Sequence, residues 1–539
     1  MIDQGPGMVR LPSTRQVCAF LVLSFCFWAP GAQGSPDQSA EARQHAARAT
    51  ALVEQGHLKD AEAELRQAVH FAPNEPAYWG FLGAVLGMEQ KLPESSVCLE
   101  KALRLNPGDL RTRRNLASNQ FQMGRLKAAR ENLERILKVE PGEPTSVLLL
   151  GMVDEELKDY RRAATLLASV PQEVQKHSKA QVALARAYYH TGEKEKAREV
   201  LRGLENHSEG PEGVFLGGQV ADQAGDYDLA VRMFRSVWTA YSDRAKLGYN
   251  LALAQYDAGH FTESQATLQG LFDAGYDTSD TEDLMAWCLF KQDHVKEAVA
   301  HMDRAIDLDP SRESNYLDVG MMLLHDNRYN GALLAARKAV ETAPHSYKAY
   351  RFLGLAQYKL GELKDAERTY AHAVELNPND RESLLGLASA QVDDGKIDAA
   401  KSTFESLLSR FPDDANLYLQ YGRMLMVYRG SKGSQTEARV VVLLKKALAL
   451  DASLAEAHYL LGNLYFSQGQ TGKSLPELER AIQLDPKLSS AHYALARAYL
   501  RLGRREEGMK QMALFEQLKA HEKKGVAKLA GSSRHARTE

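Results

Sequence analysis

Apolar positions recur along this chain with two superimposed periods. Within stretches of about 12 to 14 residues they return every three or four residues, the spacing of one face of a helix. The stretches come in pairs, and the pairs return about every 34 residues from Arg43 to near Gln517. The second copy shows the pattern: Trp79, Leu82, Gly83, Leu86, Ser95, Leu99, Ala102 and Pro107. Two short amphipathic helices cannot bury their apolar faces alone, so each unit must stack on its neighbours. The expected fold is all-α, a solenoid of about 14 helix-turn-helix repeats over residues 42–521, with no room for a separate catalytic domain.

Numbered from its own first residue (Ala42 in the first copy, Pro76 in the second), each unit repeats a few devices. Position 15 is mostly glycine, as at Gly56, Gly124, Gly225 and Gly361, with Asn327 in the ninth copy. A residue that reaches the left-handed conformation there ends the first helix and turns the chain back. Position 8 is small (Gly83, Ala117, Gly151, Gly218), as is position 20 (Ala61, Ala129, Ala366, Ala400), which lets paired helices approach closely. Position 24 is large and apolar (Leu65, Leu99, Phe234, Tyr370), and a proline such as Pro73, Pro107 or Pro486 closes most units. Proline has no amide hydrogen and cannot extend the second helix.

These positions resemble the tetratricopeptide repeat family over nearly all of the chain. The resemblance implies a right-handed superhelix whose first helices line a concave channel that grips an extended peptide or a partner helix. Three departures stand out. Repeats four to seven replace the closing proline by Gln175, Glu209, Ser242 and Tyr276, so altered curvature is expected over 170–280. The twelfth repeat carries a Gly/Ser-rich turn insertion at 429–436. Gly508 replaces the position-20 alanine of the last repeat, whose polar second helix is expected to end near Lys524, with a flexible tail over 522–539.

Outside the periodic region, Arg10 and Arg15 precede an apolar run from Val17 to Ala29, then Pro30, Gly31, Ala32 and Gly34. This has the form of a secretory signal over 1–34, followed by a short linker at 35–41. The run is shorter than the roughly 20 residues that cross a bilayer, so no integral span is expected after cleavage. The expected address is exported, periplasmic or secreted. Cys98 and Cys288 then remain, in distant repeats, and are expected to be buried thiols with no disulfide between them. A formal charge of -3 lacks the basic excess of a nucleic-acid binder, so no such partner is expected.

If the family geometry holds, positions 2, 5, 9, 12 and 13 of each first helix face the channel. The candidate partner-binding residues there are Tyr189, Phe215, Tyr249, Tyr256, Trp287, Phe290, Arg351, Tyr358, Tyr459, Phe466, Tyr493 and Arg497. Rings offer apolar area with few rotors to freeze, which suits peptides and also sugar rings. Asp222, Asp257 and Asp283 interrupt any uniform field. The Lys and Asn clamp with which some relatives hold a chaperone's C-terminal carboxylates is absent.

Catalytic chemistry is not expected. Ser467 to Ser474 imitates a phosphate-binding loop, but its opening glycine is replaced by Ser467 and it lies at a helix-to-helix turn rather than after a strand. His458 and His492 share position 4 with Trp79 and Tyr316 and are expected as packed rings. No metal-ligand or nucleophile motif appears, so no enzyme, catalytic residue, cofactor or metal is expected. The expected function is an exported scaffold holding protein segments to assemble or stabilise an envelope complex. Alternatives are a carbohydrate-handling adaptor in polysaccharide synthesis or export, and an architectural subunit using convex or end surfaces.

Overall fold

The computed structural model describes residues 36–207, 210–428 and 433–535; the expected signal at 1–34 and residues 429–432 of the insertion lie outside the described residues. Every regular element described is a helix. They form fourteen pairs with one extra short helix, Pro171–Lys176, after the fourth pair. The chain divides into two compact units, Met1–Ala298 and Val299–Glu539. Inside each unit the two helices of a pair pack on one another and on the pair that follows.

The close approach rests on complementary sizes at positions 8, 20 and 24. In the second repeat, Pro76–Met88 lies so near Leu92–Leu105 that a Cβ added to Gly83 would fall 2.6 Å from Leu99 Cγ. The same fit recurs with Gly151 against Leu167 (2.7 Å), Gly218 against Phe234 (2.6 Å) and Gly462 against Leu478 (2.8 Å). The position-20 alanines Ala61, Ala129, Ala366 and Ala400 are wholly buried, as are Leu65, Leu99 and Leu133 at position 24. Cys98 and Cys288 are buried free thiols.

The turns between paired helices repeat one motif. In the first repeat the Gly56 amide donates to the Val53 carbonyl and the His57 amide to Leu52, the double bond that closes a helix through a left-handed residue. Gln90 (φ 63°), Lys158 (φ 64°), Asp293 (φ 66°) and Asn327 (φ 57°) take the left-handed conformation in the same slot with the same pair of bonds. Only Asn327 among these four was apparent from the sequence. A side chain costs roughly 1–2 kcal/mol there, which a well-packed turn tolerates.

Position 4 closes the join between repeats. Trp79 Nε1 donates to the Pro73 carbonyl (2.9 Å), Tyr316 to Pro310 (3.0 Å), Tyr418 to Pro412 (3.1 Å) and Arg113 to Pro107 (2.6 Å). His492 Nε2 lies 3.0 Å from the Pro486 carbonyl, so this ring is packed and also satisfies the backbone oxygen of the closing proline. Several first helices carry a carboxylate N-cap; Asp109 Oδ1 accepts from the amides of Arg111 (3.0 Å) and Thr112 (3.1 Å).

The irregular stretch is visible in helix lengths. The second helix of repeat four is Tyr160–Ala168, nine residues, and that of repeat six is Tyr227–Ser236, ten residues, against fourteen in most others. Three boundaries differ from expectation. The first helix begins at Pro36, so residues 36–41 are helix rather than linker. From Gly433 the insertion belongs to an 18-residue second helix, Gly433–Leu450. The last helix runs Arg505–His535, across the expected start of the tail at 522.

Gly83→Ala is expected to destabilise the protein by about 1–3 kcal/mol through the clash with Leu99, as is Ala61→Leu through overpacking. Lys158→Gly is expected to stabilise it by about 0.5 kcal/mol, the left-handed penalty removed less the entropy glycine adds to the unfolded chain. Denaturant titration of the three variants checks both signs; an unchanged midpoint for Gly83→Ala would remove the close-approach assignment.

Candidate functional site

The candidate residues fall into three groups. Phe215 and Phe466 are core rings, 0% and 6% exposed, and this corrects the expectation that they face a partner. Phe215 stacks on Tyr241 with centroids 4.5 Å apart and tilts against Phe234, while Lys246 Nζ sits 4.7 Å over its ring. Tyr241 lies in the loop left by the shortened second helix of repeat six, which is why a position-5 ring is covered here. Phe466 is covered by Arg497 and Arg501.

A second group is accessible in part but has its polar groups engaged within the chain. Tyr189 donates its hydroxyl to Asp226 Oδ2 (2.9 Å), and Arg198 holds the same carboxylate from Nε (2.6 Å) and Nη2 (2.9 Å). The Tyr358 hydroxyl donates to Asp393 (2.5 Å). The Asp393 hydrogen bond, then burial, pushes that phenol up to about 12. Arg351 Nη1 lies 2.9 Å from Asp380 Oδ1, so this cation ties its helix to the N-cap of the next repeat, as Arg114 does with Glu143 (2.9 Å). Arg351 is thereby a link between repeats before it is a contact for a ligand.

The third group presents surface. Tyr249 and Tyr256 on Arg244–Asp257, and Trp287 and Phe290 on Ser279–Lys291, are half-buried on successive first helices. Trp287 and Phe290 meet edge to face at 5.6 Å, and Lys291 Nζ lies 6.0 Å over the indole. Tyr459 is half-buried, whereas Tyr493 is 41% exposed and Arg497 is exposed.

Two buried carboxylates stand out elsewhere on the first helices. Asp222, on Pro211–Gln223, has its Oδ1 shut off from solvent and without a hydrogen-bond partner among the described residues. Burial, reinforced by the charge of Asp257 on the next first helix, pushes its carboxyl up to about 7. Asp154 is fully buried between Arg130 (3.1 Å) and Arg162 (3.2 Å), a bridge between repeats three and four. The phosphate-loop imitation is a turn through Gly469 (φ 75°) into Thr471–Leu484, with Lys473 Nζ 5.8 Å over the Tyr465 ring. No cluster of His, Cys, Asp or Glu among the described residues could hold a metal, and no helix described is long and apolar enough to cross a membrane.

Sequence reasoning missed Asp226 and Tyr241, which lie in loops outside the first-helix positions it considered. No periodic signal marks them: Asp226 acts through Tyr189 and Arg198 of the preceding repeat, and Tyr241 through a ring contact to Phe215 across the loop of its own repeat.

Helix pairs stacked within each unit, with a ring-bearing first-helix face, define a helical-repeat scaffold. Tetratricopeptide repeat profiles match residues 37–67, 114–174, 155–212, 223–288, 323–390, 382–414, 431–469 and 462–503, and the chain belongs to the tetratricopeptide repeat family. Proteins of this family bind protein partners. The chain is 28% identical over 192 residues to human "Protein O-mannosyl-transferase TMTC3", covering 35% of this chain and 20% of that one. It is 32% identical over 102 residues to "Protein STIP1 homolog" of Dictyostelium discoideum (19% and 18%) and 34% identical over 90 residues to "Tetratricopeptide repeat protein 33" of Mus musculus (17% and 34%). The chain thus spans between about a fifth and a third of these relatives' lengths. Among solved structures it is similar to yeast Tom70 (TM-score 0.38, 16% identity, 83% of this chain and 96% of that one) and to the Cut9-Hcn1 hetero-tetramer (TM-score 0.35, 14% identity, 85% and 97%).

Asp222 gives a pH-dependent prediction. Its folded pKa lies above the ordinary 3.8, so its contribution to stability is complete below pH 4 and is lost as pH rises towards 7. Asp222→Asn is expected to match the parent near pH 4 and to exceed it by about 1–3 kcal/mol at pH 8. Thermal melts across pH 4–8 check the slope; a constant difference would show that Asp222 titrates normally.

Proposed function

We propose that this protein is an exported, periplasmic or secreted scaffold whose first-helix face holds protein segments and so assembles or stabilises an envelope complex. The observation that carries the binding reading is the run Tyr249, Tyr256, Trp287 and Phe290. These rings sit on consecutive first helices and keep accessible area, whereas Phe215 one repeat earlier is sealed. Half-buried rings held by their own helix lose little entropy on binding, and neighbouring Lys291 and Asp257 give an extended peptide polar groups to meet. The charged-then-apolar N-terminal segment, Arg10 to Gly34, supports the exported address.

The same rings could stack on sugar, which would make the protein a carbohydrate-handling adaptor. A crosslinking pull-down from the exported fraction, comparing the parent with a Tyr249→Ala, Trp287→Ala, Phe290→Ala variant of verified helical content, separates the readings. Protein partners lost only with the variant are the expected result. Retention of every partner, or glucan and uronate polymer binding lost with Trp287→Ala alone, would overturn the protein-scaffold reading.

A further inference from the structure

The last repeat differs from the others in what it leaves uncovered. On its first helix, Ser489–Arg501, Tyr493, Arg497 and Arg501 follow at intervals of four and so form one stripe. The two guanidinium groups are already oriented by rings. Arg497 Cζ lies 4.9 Å from the Phe466 centroid and 5.6 Å from that of Tyr493, and Arg501 Cζ lies 4.2 Å from Phe466. Arg501 Nη1 also donates to the Phe466 carbonyl (2.9 Å).

Neither arginine has a carboxylate partner among the described residues. Of the acidic groups on packed helices, Glu456 is held by Arg423 (3.3 Å), Glu507 by Arg504 and Glu479 by the Tyr499 hydroxyl (2.8 Å), while Glu506 and Glu516 on the last helix are exposed and pair with neither arginine. On the facing last helix, Phe515 packs on Tyr493 (5.0 Å) with Lys519 Nζ 5.1 Å over its ring, adding a further cation. Apolar surface collects at the same end, with Tyr493 41%, Leu500 41%, Leu502 47% and Met509 60% exposed.

We propose that the stripe Tyr493, Arg497, Arg501 with Leu500 is a docking surface for an acidic peptide segment carrying apolar side chains. This rests on the scaffold reading above and names the partner chemistry for one end of the chain. A guanidinium stacked on a ring keeps its in-plane N–H donors free, and a carboxylate can take two of them at once. Leu500 and Tyr493 beside it supply the area on which a neighbouring leucine or phenylalanine would come to rest. Charge complementarity selects the sign of the ligand: a basic peptide would meet two unmatched cations.

The test uses the full-length mature chain and two fluorescein-labelled peptides with blocked ends, one alternating Glu and Leu and the other alternating Lys and Leu. Fluorescence anisotropy is expected to show the acidic peptide bound at least tenfold tighter than the basic one, with affinity falling as NaCl rises. Arg497→Ala with Arg501→Ala is expected to weaken it at least tenfold. Arg497→Glu, which leaves Arg501 covering Phe466, is expected to cut the preference for the acidic peptide at least tenfold while the melting temperature holds. Equal binding of both peptides, or an unchanged preference in Arg497→Glu, would overturn the proposal. The Tyr249, Trp287, Phe290 triple variant is expected to bind the acidic peptide as the parent does, so failure here is distinguishable from failure of the scaffold reading.

Discussion

Everything in this structure depends on how closely the two helices of a repeat approach. Gly83 has no side chain because Leu99 occupies the space its Cβ would need, and the same exclusion recurs at Gly151, Gly218 and Gly462. Helices of 13 or 14 residues are marginal alone, so interlocking of a small position with a large one supplies the stability that propensity does not. Close approach also fixes where each first helix points its remaining side chains.

Polar groups then reinforce the stack. A position-4 donor caps the carbonyl of the closing proline, and arginines such as Arg114, Arg198 and Arg351 reach carboxylates one repeat further along. Partly exposed pairs of this kind contribute modestly one by one, but they settle the register in which consecutive repeats meet. They also consume much of the charge that the first helices carry. What stays accessible is therefore selective: rings in repeats seven and eight, and an arginine and tyrosine stripe in repeat fourteen.

The architecture was legible in the sequence because its constraints are local and repeated. A glycine opposite a leucine, a left-handed turn residue and a closing proline recur at one period, and each answers to a steric rule that needs no knowledge of the neighbours. Even there the turn was only partly visible. Gln90, Lys158 and Asp293 take the glycine slot at a cost small enough for packing to override, so residue type did not announce them. The boundaries at 36–41 and 433–436 were misplaced because helices extend past the periodic core wherever nothing stops them.

The candidate site was less legible. Phe215 and Tyr249 occupy the same repeat position, yet one is sealed and the other half-open. The difference is Tyr241, brought over Phe215 by a shortened helix, a contact between residues distant in sequence. Arg351 and Arg497 likewise look alike as residues; a carboxylate at the N-cap of the next repeat binds the first, and among the described residues none binds the second. The sequence by itself determined the repeat, its helix pairs and the face on which side chains gather, because periodicity is a property of the chain. Which of those side chains remain open to a partner was decided only by tertiary structure, because accessibility belongs to what packs over each side chain from elsewhere in the fold.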